Sequence, residues 1–181
     1  VIVPFFKSLC IGVVSSIAFA TGVWAQTKVI PAPPPHVAPK IATLLLTGEN
    51  NHDWEFTSAA IKVFLESTGR FDITVATKPA EVLADAKQLA RYRLFFIDYN
   101  GKRWGEAAEK NFVAAVESGV GVFVLHAANN AFEGWTAYEE MVGLLWRQGT
   151  GHGAFHAFDT EIVDRNHPVT FGMPDLKAHP D

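Results

Sequence analysis

Histidines dominate the chemistry this chain could do. His126 closes the apolar run Gly119-Val120-Gly121-Val122-Phe123-Val124-Leu125 and precedes the small, turn-prone residues Ala127-Ala128-Asn129-Asn130. An imidazole serves as general base, general acid or metal ligand under ordinary conditions. A titratable group directly after an apolar run suits that work. It also suits a strand end where the ring merely bonds a neighbouring carbonyl, so position alone leaves both readings open. Polar groups recur at matching places. Gly48-Glu49-Asn50-Asn51-His52-Asp53-Trp54 follows the apolar run Ile41–Thr47, and Asp98-Tyr99-Asn100-Gly101 follows Leu94–Ile97. A further cluster, Gly151-His152-Gly153-Ala154-Phe155-His156, sets His152 between two glycines, with His156 four residues later. On a strand those two rings share a face, which is a weak signal for a metal such as zinc.

The elements that must position these groups follow from apolar spacing. Continuous runs ended by turn residues predict buried parallel strands over Ile41–Thr47, Leu94–Asp98 and Val120–His126, while Phe71–Ala76 alternates and belongs nearer a sheet edge. Helical spacing predicts helices over Phe56–Thr68, Ala80–Leu89, Gly105–Ser118 and Tyr138–Trp146, with Gly69 as a stop. Phe155–Val163 reads as a later strand suited to antiparallel pairing, Asp164–Thr170 as a turn entering a helix, and Met173–Asp181 as turn-prone with no element. Alternating strands and helices predict an α/β domain with a doubly wound, mostly parallel sheet, helices on both faces and right-handed crossovers. In the strand order 2-1-3-4 the switch point lies between the first and third strands. The loops after strands one, three and four then leave one edge, so Glu49, His52, Asp98, Asn100 and His126 surround one crevice.

Each candidate has a plainer role beside the chemical one. Asp53 suits a helix N-cap, Asn100-Gly101 a turn, and Glu49 a solvated loop charge. Trp54 and Phe56 suit packing, although an indole beside a polar crevice also suits stacking on a sugar face. His167 precedes Pro168 and reads as structural. No Gly-rich dinucleotide fingerprint, P-loop or Gly-x-Ser-x-Gly elbow occurs, and Ser58, Ser67 and Ser118 fall within predicted helices.

Composition narrows the field. The chain has 181 residues, enough for one domain with a real core, and 15 Lys+Arg against 19 Asp+Glu give a net charge of −4. No basic stripe is present, which argues against nucleic acid as a partner, and 14 Phe with 5 Trp argue against disorder of the body. Lys7, the apolar Leu9–Ala20 and the small Val23 and Ala25 predict a signal peptide over residues 1–25, cleaved before Gln26. A retained N-terminal anchor is the alternative. Cleavage implies a periplasmic or secreted protein without stable membrane insertion. Five prolines within residues 31–39 predict an extended spacer over residues 26–40. Cys10 is the only cysteine and lies in the signal. The mature chain therefore has no disulfide, thiolate zinc site or thiol nucleophile.

One family orders its motifs this way. Leu44-Leu45-Leu46-Thr47-Gly48 with His52, then Val122 to Ala128, then Tyr138 to Gly143, then Gly151-His152, then His167-Pro168-Val169-Thr170-Phe171-Gly172-Met173 resemble the ThuA-like (trehalose utilisation) domain over residues 41–181. The resemblance implies a flavodoxin-like sheet related to class I glutamine amidotransferases, and carbohydrate metabolism in bacteria, often in secreted proteins. In those amidotransferases the strand corresponding to Val120–Leu125 leads to a nucleophilic cysteine. Here it leads to His126, so cysteine-dependent amidotransferase chemistry is not implied. The family pattern continues past the stretch matching His179-Pro180-Asp181, and the domain is expected to be C-terminally truncated.

These readings combine into an exported enzyme acting on a small-molecule carbohydrate, a sugar or keto-sugar, in a histidine-lined crevice. His126, His52 and His152 are the expected catalytic groups. Glu49, Asn100 and Trp54 are expected to bind substrate, and Asp98 with His152 to hold a divalent metal such as zinc. Two alternatives stand beside this: a non-catalytic carbohydrate-binding or accessory domain using Trp54, Trp104 and Trp135 as stacking surfaces, and a metal-dependent hydrolase of an ester or amide.

Overall fold

Four short parallel strands form the frame. β1 (Ile41–Leu46), β2 (Phe71–Ala76), β3 (Leu94–Ile97) and β4 (Gly121–Val124) pair in the order β2-β1-β3-β4, as the doubly wound reading requires. The computed structural model describes residues 38–180, so the expected signal peptide and most of the expected spacer lie outside the described residues. Register matters more to function than strand count. Leu46 lies opposite both Ala76 and Ile97, and Ile97 opposite Val124. The carboxyl ends of β1, β3 and β4 are therefore flush, and their loops start at one level.

Side chains alternate across the strands and build two unequal layers. Leu44, Leu46, Phe95 and Ile97 face the larger core, against Leu83, Phe112, Trp104, Trp135 and Tyr138. Leu45, Ile73 and Phe96 face the other way, beneath Ile61 and Leu65. The larger core carries helices α2 (Pro79–Leu83), α4 (Glu106–Glu117) and α5 (Thr136–Val142), whereas the helix on the smaller one is α1 (Trp54–Ser67). Full burial of each Leu or Phe contributes about 1.5–3 kcal/mol. Trp104 and Trp135 are packed edge-on at 6.0 Å within the larger core and are buried, which removes them as sugar-stacking surfaces.

Local sequence explains where the elements depart from the apolar pattern. The helix expected over Ala80–Leu89 is two, α2 and α3 (Ala86–Leu89), because Asp85 accepts a bond from the Lys87 amide and starts a new first turn. Asp53 caps α1 in the same way, accepting from the Phe56 amide at 3.0 Å. α5 starts earlier than expected and ends at Gly143, which adopts φ +72°. A glycine in the left-handed region terminates the helix, and Leu144 to Trp146 are released from it.

The C-terminal third differs most. β5 (Ala157–Thr160) pairs antiparallel with β6 (Leu176–Pro180) in a separate two-stranded sheet, so the final residues do form a strand. Residues 151–156 have no regular structure, so His152 and His156 do not share a strand face. Residues 165–172 form turns and a bend without the expected helix. Among the described residues no helix is long and apolar enough to cross a membrane.

Two substitutions test this frame. Phe112 is fully buried and stacks on Phe95 at 5.3 Å; Phe112→Ala should cost about 3–5 kcal/mol in urea unfolding. Gly48, directly after β1, adopts φ +111°, and a Cβ there would lie 1.9 Å from the Thr77 carbonyl oxygen. Gly48→Ala should destabilise by more than the roughly 1–2 kcal/mol of the backbone conformation alone, whereas Gly69→Ala, whose Cβ would meet open space, should cost only that backbone term.

Candidate functional site

His126 begins a short 3-10 helix, His126–Asn130, immediately past β4. Its φ is +40°, in the left-handed region that costs a non-glycine residue about 1–3 kcal/mol. The surroundings hold it there. The Leu125 amide donates to Ile97 O at 3.0 Å, the Ala128 amide to Leu125 O at 2.9 Å, and the buried Tyr138 hydroxyl to Ala128 O at 2.8 Å. The sharp turn from strand to helix swings the imidazole out of the sheet and leaves it exposed. There its Nε2 lies 3.1 Å from Nε2 of His52. In such a contact one ring donates and the other accepts.

His52 reaches this position through a chain of hydrogen bonds from the core. Asp98, the residue after β3, is buried at 3 % exposure. Its Oδ1 accepts from the Asn50 amide at 3.1 Å and its Oδ2 from the Thr57 hydroxyl at 2.6 Å. Asn50 Oδ1 in turn accepts the His52 backbone N–H at 3.2 Å. A carboxylate this deep needs such donors to offset its desolvation. Asp98 thus braces the β1–α1 loop from beneath and does not line the crevice.

The cavity in front of the histidine pair has a volume of about 280 Å³ and is lined by Asn51, His52, Asn100, His126, Ala127, Asn129, Asn130, Trp146 and His152. Asn100 donates its side-chain amide to Asn51 Oδ1 at 2.8 Å, and its backbone N–H to Glu49 O at 2.9 Å, which locks the first and third loops together. The rings of Trp146 and His152 lie 4.7 Å apart, tilted by 36°. Amides, imidazoles and an indole make up the polar and aromatic lining, which holds no carboxylate, lysine or arginine.

Four of the expected groups, His52, His126, His152 and Asn100, therefore meet at one cavity. Others do not. Glu49 turns its carboxylate to the Lys102 amide at 3.2 Å and the Tyr99 hydroxyl at 3.1 Å; burial first, and this carboxylate second, push the Tyr99 hydroxyl above its ordinary pKa. Trp54 opens α1, half-buried, outside the cavity lining. The expected metal pair does not assemble either. Both Asp98 oxygens are committed to Asn50 and Thr57, and no group of three or more His, Cys, Asp or Glu among the described residues is placed to hold a metal ion. Sequence reasoning missed Trp146 because apolar spacing ran the helix through it; Gly143 was the available signal. It also took Asn129 and Asn130 only as turn formers.

Comparison with known proteins agrees with this architecture. No curated protein matches the sequence. Among solved structures, a ThuA-like protein from Parabacteroides merdae is 31% identical over 75% of this chain, with a TM-score of 0.66. A ThuA-like protein from Bacteroides uniformis, 19% identical over 83% of the chain with a TM-score of 0.64, shares the fold. This chain spans 59% and 62% of the lengths of those two proteins. The profile of the ThuA family, described as trehalose utilisation, matches residues 42–181. With that match over most of its length and the flavodoxin-like sheet beneath it, the chain belongs to the ThuA family.

Proposed function

We propose that this protein is an exported enzyme of carbohydrate metabolism that moves a proton on a neutral sugar or keto-sugar held in the His52–His126 cavity. The 3.1 Å contact between the two Nε2 atoms at the cavity wall carries the reading. When substrate enters between the rings and opens this contact, the accepting Nε2 is free to act as general base and the donating Nε2–H as general acid. A keto-sugar offers both of the matching partners: a C–H next to its carbonyl that a base can take, and a carbonyl oxygen that an acid can protonate. An ordinary sugar hydroxyl has no such acidified C–H, so the pair fits a keto-sugar better.

The lining supports a carbohydrate. The amides of Asn51, Asn100, Asn129 and Asn130 both donate and accept, which suits hydroxyls that do the same. Trp146 offers an apolar ring face for the C–H side of a pyranose. The absence of charged side chains from the lining disfavours phosphorylated and acidic sugars. The trehalose-utilisation description of the family supports the same substrate class. Leu9–Ala20 with Val23 and Ala25 supports export to the periplasm or beyond.

Turnover of trehalose, simple glucosides and their keto forms is the test. His126→Ala should lower turnover on the order of 100-fold or more, the scale of a lost general acid–base group, with little change in melting temperature because the ring is exposed. Unchanged turnover on every accepted sugar would sink the catalytic role of His126, and calorimetric sugar binding without any turnover in the unaltered protein would establish a binding domain instead. Trp146→Ala should chiefly raise KM, since the indole face touches substrate alike before and during reaction.

A further inference from the structure

Arg147 directly follows Trp146 of the cavity wall, yet its side chain is not part of the cavity lining. All of its donors turn inward. Nη1 donates to the carbonyl oxygens of Asn129 at 3.3 Å, Asn130 at 3.1 Å and Trp146 at 2.9 Å. Nη2 donates to Ala131 O at 3.2 Å and to Glu139 Oε1 at 2.7 Å, and Nε to the same Oε1 at 3.1 Å. A guanidinium has five N–H groups in a rigid fork, and here each has an acceptor. The pair is largely sheltered, with side-chain exposures of 19% for Arg147 and 27% for Glu139. Glu139 is itself fixed, accepting the Gly134 amide at 3.0 Å.

The carbonyls chosen are informative. Asn129, Asn130 and Ala131 form the end of the 3-10 helix that His126 begins. The last carbonyls of a helix lack partners within it, and a cation there satisfies both their hydrogen bonding and the negative end of the helix dipole. The same guanidinium binds the carbonyl of Trp146, the aromatic wall, and through Glu139 it is tethered to α5. One side chain thus joins the segment carrying His126, Asn129 and Asn130 to the segment carrying Trp146 and His152.

We infer that Arg147, anchored by Glu139, is a positioning residue that sets the His126 imidazole and the Trp146 wall against each other across the cavity. The inference rests on the proposed use of that cavity and deepens it. A lysine keeps the charge but not the fork: one ammonium can take the Asn129, Asn130 and Trp146 carbonyls that Nη1 binds, or the Ala131 carbonyl and the Glu139 carboxylate that Nη2 and Nε bind, and not both sets. The left-handed backbone at His126 is then held from one side only, and the ring leaves its contact with His52.

Two-bond 1H–15N spectra of histidine-labelled full-length protein, at one fixed pH, report this without any sugar. Signals are assigned from His52→Gln and His126→Ala. In the unaltered protein the Nε2 signals of His52 and His126 should separate into a donor and an acceptor. In Arg147→Lys they should collapse toward the averaged position of free rings while His167, far along the chain, stays unmoved. Glu139→Gln, which touches no cavity segment directly, should shift them in the same direction by less. On any sugar the unaltered protein converts, Arg147→Lys should lose turnover on the order of 100-fold, the scale expected for a displacement of about an ångström. Unmoved His52 and His126 signals in Arg147→Lys, or in Glu139→Gln if the lysine variant does not fold, would overturn the inference. So would unfolding of both variants, since Arg147 would then support the whole domain. Failure of the unaltered protein to convert any sugar strikes the proposed function, while the ring signals still decide the role of Arg147 independently.

Discussion

The geometry of the cavity depends on the burial of one carboxylate. Asp98 directly follows β3 at the switch point of the sheet, where 3 % exposure makes every unfilled lone pair costly. The side chains that fill them come from Asn50 in the first loop and Thr57 in α1. Satisfying Asp98 therefore drags the β1–α1 connection over the end of β3, and His52 rides on that connection through the Asn50 side chain. A buried charge that cannot reach water thereby fixes the place of a ring that can reach substrate. The same logic operates on the far wall, where Arg147 directs its donors to backbone carbonyls. Charge lies behind the cavity surface on both sides, and amides, imidazoles and an indole form the surface itself.

Much of the frame was legible because its physics is local and periodic. Continuous apolar runs identified β1, β3 and β4, alternation marked β2 as an edge strand, and together with a doubly wound order they bring the three loops to one edge, as the flush register of Leu46, Ile97 and Val124 requires. The convergence of His52, Asn100 and His126 follows from that topology and needs no motif.

What stayed hidden depends on direction, which residue type does not encode. Glu49 and Asp98 look like ligands in a string of letters; in the fold their oxygens point at Tyr99, Lys102, Asn50 and Thr57. Trp104 and Trp135 look like sugar platforms, yet they are core. Trp146 escaped for the opposite reason. A helix that stops at Gly143 frees it, and apolar spacing carries no penalty for a glycine whose φ is +72°. The strand pairing of β5 with β6 was half visible, since antiparallel partners declare themselves only when both are recognised.

The pairing of His52 with His126 also has a consequence for assembly. The two residues are separated by 74 positions along the chain, and the Asn50–Asp98 bond beneath them spans 48. Contacts this distant form only after the loop entropy between them has been overcome, and parallel pairing adds to the delay. No fragment ending before β4 contains both rings, and no partly folded chain lacking the β1–β3 alignment brings them together. The histidine contact thus depends on the β1–β3 and β3–β4 pairings that align the strand ends carrying the two loops.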